Sequence, residues 1–110
     1  MKVGDYLRVP YLVTAQSVPR EDGTWVRHVE HPELPGCVAE ADSILDALRL
    51  LEAKRIETVL DMLASGRIPP AKRPLLGVTQ ARRRVARAGL ANRIEPLWEK
   101  DAESLSTRAG

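Results

Sequence analysis

Residues 43–64, SILDALRLLEAKRIETVLDMLA, constrain the fold more than any other stretch, because their apolar side chains recur at helical spacing. Ser43 fits the N-cap of a helix, and Asp46, three residues later, completes a variant of the capping box. Gly66 and the Pro69-Pro70 pair end the pattern, since neither favours continuation of a helix. The sequence therefore predicts one long helix over 43–64.

The predicted helix is amphipathic and needs a surface on which to bury its apolar side. Charged residues occupy much of the remainder, and Glu52 and Arg55 are expected there as an exposed pair. The chain has no Phe and only two Trp and two Tyr, so its core must be aliphatic. The apolar residues expected to share one broad face are Leu45, Leu48, Ile56, Val59, Leu60 and Leu63.

Before residue 43 the period changes to that of β-strands. Residues 8–18 alternate like a half-buried strand, and Asp22-Gly23 favours a reversal into a returning strand over 25–31. Residues 37–41, CVAEA, are typical of a short third strand. Together with the long helix, these patterns predict an α+β fold. The residues of 8–18 expected on one face are Val9, Tyr11, Val13 and Ala15.

After the helix the chain divides into a linker and a helical extension. Residues 71–77 are a proline-punctuated linker within an extended stretch able to add an edge strand. Residues 78–105 are predicted as a basic helical segment, interrupted at Gly89 and limited by Pro96. The predicted organisation is an α+β domain over 1–70, the linker, and this C-terminal extension.

Charge is distributed in blocks that the net value of +2 hides. Residues 1–61 carry seven Lys/Arg and eleven Asp/Glu, whereas residues 62–94 carry eight basic residues and no acid. The last sixteen residues carry two basic and four acidic groups. An acidic first half and a basic block indicate contacts with charged partners, or between the two regions themselves.

Several features point to the cytoplasm. The single cysteine excludes an internal disulfide and fits a reducing compartment. The first residues, MKVGDYLRVPYLV, have neither the apolar run nor the cleavage site of a signal peptide. No segment approaches the ~20 apolar residues of a membrane span. We therefore expect a cytoplasmic protein without a membrane association.

His28, His31 and Cys37 are the candidates for metal binding or nucleophilic chemistry. Their H-x2-H-x5-C spacing lacks a second pair of ligands, and residues 28 and 31 of one strand point to opposite faces. A nucleophilic Cys37 would need a nearby base and an orienting group, and no such group is indicated. A small packed residue at the start of a strand is the favoured interpretation, and we expect no metal and no cofactor.

Scattered acids in the first half raise the alternative of a carboxylate-metal nuclease. Nothing in the sequence sets their spacing, so a solvated surface is the favoured interpretation, and we expect no enzymatic activity. These acids are Asp22, Glu30, Glu33, Glu40 and Asp42.

The basic block has two interpretations, which the sequence leaves open. Its arginines span more than one helical turn and could contact phosphates, and Val85, Gly89 and Ile94 have a helix-turn-helix-like spacing, although Pro96 falls inside the second helix. Alternatively, the basic helix docks on an acidic partner or on the acidic first half. The candidate binding residues are Arg82, Arg83, Arg84, Arg87 and Arg93.

Residues 25–51, WVRHVEHPELPGCVAEADSILDALRLL, carry a family resemblance. The turn P-x-L-P-G-C is followed in register by a short strand and by a helix that opens with Asp46-Ala47-Leu48. With the upstream hairpin, this order resembles the HicB-type antitoxin family over about residues 8–70. The residues that match the family turn are Pro32, Leu34, Pro35, Gly36 and Cys37.

The resemblance implies a partial ribonuclease-H-like domain of β-β-β-α-β order without retained catalysis. It implies an antitoxin that covers a small, basic, mRNA-cleaving toxin of the HicA type, forms homodimers or higher oligomers, and binds its own promoter through a C-terminal module. The region after residue 70 departs from the family's DNA-binding modules. The alternative is an orphan domain of this type that serves as an interaction or scaffold subunit of another complex.

Overall fold

The computed structural model describes residues 1–106 and confirms the α+β class, with a three-stranded antiparallel sheet, one long helix and a C-terminal helical extension. Residues 107–110 lie outside this description. The elements are α1 (Val3–Tyr6), β1 (Thr14–Pro19), β2 (Trp25–Glu30), β3 (Val38–Ala41), α2 (Ile44–Ala64), α3 (Val78–Arg87), α4 (Ala91–Ile94) and two 3₁₀ helices, Glu95–Leu97 and Ala102–Leu105.

The sheet has the order β1-β2-β3, and β2 pairs antiparallel with both neighbours. The predicted reversal between β1 and β2 is present, and Gly23 adopts the positive φ of 87° that favours glycine. The first strand begins later than predicted, at Thr14. Val9 and Tyr11 are buried ahead of it, whereas Val13 and Ala15 are exposed, so the predicted shared face is wrong beyond Tyr11.

The long helix follows its predicted boundaries. The hydroxyl of Ser43 accepts a hydrogen bond from the backbone N–H of Asp46 at 3.1 Å. After Ala64, Gly66 takes a φ of 79°, and the N–H of Arg67 donates to the carbonyl of Met62 at 2.8 Å. This is the hydrogen-bond pattern of a glycine-terminated helix.

One part of the predicted helix face is wrong. Ile56, Val59, Leu60 and Leu63 are buried as expected, but Leu45 is 65% exposed and Leu48 is 38% exposed. The six predicted residues do lie on one side of the helix, but the elements that pack on this side do not cover Leu45 and Leu48 to the same extent as the others. Leu45 and Leu48 line an open groove beside α3, whereas Ala47 and Leu51 in the same half of the helix are buried.

The stretch after α2, residues 67–77, forms no strand within the described chain. It runs beside residues 8–11 and is held there by individual bonds. The hydroxyl of Tyr11 donates to the carbonyl of Pro70 at 2.8 Å, and Arg8 and Leu76 exchange two bonds of 2.7 Å. These contacts fix the path of the linker.

The C-terminal extension shares one hydrophobic core with the preceding domain. Ala81, Val85, Ile94 and Trp98 belong to the same buried cluster as Val3 near the chain start. The predicted boundary at 71–77 therefore separates two stretches of sequence that pack together. No helix among residues 1–106 has the length and apolar character needed to cross a membrane.

Candidate binding surfaces

The P-x-L-P-G-C turn connects β2 to β3 as a closed loop. The N–H of His31 donates to the carbonyl of Cys37 at 2.9 Å, and Leu34 and Cys37 are 2% and 1% exposed. Pro32 and Pro35 face solvent, and Gly36 has a φ of 68°. The motif residues thus shape the turn, with Leu34 and Cys37 anchoring it in the core.

Two polar residues inside the turn hold neighbouring segments. The Nδ1 of buried His31 lies 2.9 Å from the carbonyl oxygen of Leu12, and burial lowers the pKa of His31. The carboxylate of Glu33 accepts bonds from the N–H of Leu12 at 2.8 Å and from Arg73 at 2.7 Å. The bond from Arg73 is the main cause that lowers the pKa of Glu33. This acid braces the loop against the linker.

The structure does not bring the candidate metal and nucleophile residues together. His28 lies on the other side of the sheet, with Nδ1 2.8 Å from a carboxylate oxygen of Glu40. Burial raises the pKa of the Cys37 thiol, which opposes formation of a reactive thiolate. Within residues 1–106, no three His, Cys, Asp or Glu residues form a group able to hold a metal ion.

One face of the sheet is uncovered and acidic. The opposite face contains Val29, Ala39 and Ala41, which pack into the core beneath α2. On the uncovered face, the strand register aligns Gln16, His28 and Glu40 in one row, and none of its eight side chains is buried. These eight side chains include two carboxylates and no lysine or arginine. They are Thr14, Gln16, Val18, Val26, His28, Glu30, Val38 and Glu40.

The remaining candidate acids have separate local roles. Asp22 accepts bonds from the N–H and hydroxyl of Thr24 in the hairpin turn, and these bonds lower its pKa. Asp42 pairs with Arg20 at 2.7 Å. Glu33 lies in the motif turn, and Glu30 and Glu40 lie together on the uncovered sheet face.

The basic block is partly neutralised within the chain. Arg82 pairs with Glu95 at 2.5 Å and lies over the Trp98 ring, with its guanidinium carbon 4.4 Å from the ring centroid. Arg93 lies 3.9 Å from a carboxylate oxygen of Glu57.

Arg83 and Arg87 differ from these residues. Both are exposed, and neither forms an ion pair within residues 1–106. Of the five candidate arginines, these two are the ones without an ion pair among residues 1–106.

Glu52 links α2 to α3 by a contact of the kind expected if the basic helix docks on the acidic first half, although the sequence did not single out this residue. Its carboxylate accepts a bond from Arg55 at 2.5 Å and another from Arg84 at 2.6 Å. Arg55 is completely buried, contrary to the expected exposed pair, and also reaches the carbonyl of Leu7 at 3.4 Å. Burial acts to raise the pKa of Glu52, but the charges of Arg55 and Arg84 outweigh it and lower that pKa.

A groove of about 580 Å³ lies between the N-terminal half of α2 and α3. Leu45, Leu48 and Ala88 provide its apolar surface. Among the described residues, four arginines and a single carboxylate, that of Glu52, also line it. The arginines are Arg49, Arg83, Arg84 and Arg87. The groove therefore combines aliphatic contact area with positive charge.

The geometry after α3 is unlike a helix-turn-helix. Gly89 turns the chain with a φ of 76°, but α4 spans only Ala91–Ile94 before a 3₁₀ helix that contains Pro96. A recognition helix must be long enough to lie along the major groove and present several side chains to bases. Four residues form about one turn.

Comparisons with protein-family models, with curated proteins and with solved structures find no match for this chain. The resemblance to the HicB-type antitoxins therefore depends on the sequence motif and on the order of elements around it.

Proposed function

We propose that this chain is a non-catalytic, cytoplasmic, antitoxin-like protein that neutralises a small basic mRNA-cleaving ribonuclease. The uncovered sheet face is the surface that binds the toxin and covers its RNA-binding or catalytic surface. The observation that carries the proposal is the composition of this face, which includes Glu30 and Glu40 and no lysine or arginine among its eight side chains.

The chemistry of the face suits a basic partner. A ribonuclease that binds RNA presents positive charge at its RNA-binding surface. The carboxylates of Glu30 and Glu40 would complement that charge, while Val18, Val26 and Val38 supply apolar contact between them. Opposite charges also accelerate association, which suits an inhibitor of a toxic enzyme.

The test is co-expression of the chain with any small basic protein that an adjacent gene encodes, with growth and complex formation as readouts. Replacing Glu30→Lys and Glu40→Lys together should weaken binding at least ~10-fold at low salt, because two favourable charges become repulsive. The matched control carries Asp61→Lys and Glu99→Lys, which reverse two exposed charges away from the sheet. We expect the control to bind within ~2-fold of the parent.

Two results would contradict this proposal. One is the absence of both a complex and a rescue of growth with the parent chain. The other is an equal loss of binding in the sheet-face variant and the control, which would exclude this face as the toxin-binding surface.

A second candidate is an orphan domain that acts as a subunit of another complex. The short α4 favours it, because an antitoxin that regulates its own promoter needs a DNA-binding module. Purification of the native complex would discriminate between the candidates. A stable assembly of stoichiometric subunits without ribonuclease activity supports the orphan subunit, and recovery of a ribonuclease supports the antitoxin.

A further inference from the structure

We infer that the groove between α2 and α3 binds an acidic amphipathic segment of a partner protein. This site differs in position and charge from the acidic sheet face, so the inference does not depend on the antitoxin proposal. It starts from the apolar stripe of α2, which is covered along most of its length and uncovered at Leu45 and Leu48.

The apolar surface of the groove is available in the isolated chain. Leu45 and Leu48 expose 65% and 38% of their surface, and both lie on the stripe that continues into buried Ile56 and Val59. Contiguous exposed apolar area rimmed by charged side chains is a feature of binding surfaces. A partner that inserts one or two aliphatic side chains here would complete the buried stripe.

The charges around the leucines select an acidic partner. The carboxylate of Glu52 is already bonded to Arg55 and Arg84, so it cannot neutralise the other arginines of the groove. Arg83 and Arg87 remain without an ion pair within residues 1–106. The remaining arginine, Arg49, has an exposed neighbour in Asp46 at 3.9 Å and retains much of its donor capacity.

The shape and chemistry favour a peptide over nucleic acid. A phosphate backbone could pair with Arg83 and Arg87, but it would leave the apolar surface of Leu45 and Leu48 unused. Within the described chain, no aromatic side chain lines this groove to stack on bases, and Trp98 is buried beneath Arg82. A helix with two leucines flanked by glutamates satisfies both the aliphatic and the cationic parts of the groove.

The probe for the experiment is a synthetic helix of about 16 residues, about 24 Å long, with leucines at i and i+4 and glutamates beside them. Titration into the ¹⁵N-labelled full chain, up to about 1 mM peptide, should perturb the amides of residues 45–49 and 80–88. We expect a dissociation constant below about 100 μM. A matched peptide with serines in place of the leucines should bind at least ~10-fold more weakly.

Variants of the chain separate the contribution of the apolar contacts to peptide binding from that of the arginine charges. Leu45→Ser with Leu48→Ser should weaken peptide binding at least ~10-fold at any salt concentration, because these substitutions remove apolar side chains that salt does not screen. Arg83→Ala with Arg87→Ala should weaken it by a similar factor at low salt and by less at high salt. The control, Leu50→Ser with Arg67→Ala, removes an exposed leucine and an arginine that do not line the groove and should change binding less than ~2-fold.

Four outcomes would overturn the inference. The first is no perturbation of the groove by the leucine peptide at about 1 mM, well above the expected dissociation constant. The second is equal binding of the serine peptide, and the third is displacement of the peptide by a short DNA duplex that binds more tightly. The fourth is self-association of the chain that the leucine substitutions abolish.

Discussion

The two halves of α2 belong to one continuous helix but have different surroundings. In the C-terminal half, Arg55, Ile56 and Val59 are completely buried, whereas on the apolar stripe of the N-terminal half Leu45 and Leu48 are 65% and 38% exposed. The C-terminal half of α2 meets segments near both chain ends, since Arg55 donates to the carbonyl of Leu7 and the 3₁₀ helix Ala102–Leu105 contacts α2. The comparison teaches that one apolar stripe can contribute to folding at one end and remain available for binding at the other.

The largest expected difference between the halves is in stability. Replacing Ile56→Ala removes buried methyl groups and leaves a cavity, so the free energy of unfolding should fall by about 2–5 kcal/mol. Urea unfolding followed by circular dichroism measures this decrease. A decrease below about 1 kcal/mol would contradict the tight packing of the C-terminal half.

A smaller effect is expected at the boundary between the halves, where Glu52 joins Arg55 to Arg84. Replacing Glu52→Gln leaves the positive charge of buried Arg55 without its counter-charge and should destabilise the chain by about 1–3 kcal/mol. The control is Glu57→Gln, whose exposed contact to Arg93 is 3.9 Å and should contribute less than about 0.5 kcal/mol.

The lowered pKa of the Glu52 carboxylate also predicts how the free energy of unfolding changes with pH. Because the folded-state pKa of Glu52 is lowered, its contribution is fully present above the ordinary pKa of about 4.3 and is lost as the pH falls through the folded value. Unfolding curves between pH 7 and pH 3 should therefore show an acid-induced decrease in stability that Glu52→Gln reduces. If the variant showed the same decrease, the loss of stability in acid would come from titratable groups other than Glu52.

Local signals in the sequence were enough to predict much of this fold. Ser43 and Gly66 mark the ends of α2, and Asp22-Gly23 marks the hairpin, because capping and turn formation involve only neighbouring residues. The burial of Arg55 could not be predicted in this way. The Glu52 carboxylate that accompanies it also bonds Arg84, 32 positions away in the chain, and no local pattern reports such a contact.

The candidate sites, too, could be predicted from the sequence only where they depend on neighbouring residues. The P-x-L-P-G-C motif predicted the turn that Gly36 and Cys37 form, and the spacing of apolar residues correctly placed Leu45 and Leu48 on the stripe. Periodicity identifies side chains that share a face, but not the element that covers the face. The groove therefore became visible only with the position of α3.

The smallest expected effect on stability is at the two partly exposed leucines of the N-terminal half. Replacing Leu45→Ser and Leu48→Ser should lower the free energy of unfolding by about 0.5 kcal/mol at exposed Leu45 and by about 1 kcal/mol at the less exposed Leu48, because these side chains are only partly packed. Urea unfolding of this variant beside Ile56→Ala compares the halves directly. A decrease above about 2 kcal/mol would mean that these leucines are packed in the isolated chain. A stable variant that no longer binds the acidic peptide would separate the binding role of the N-terminal half from the folding role of the C-terminal half.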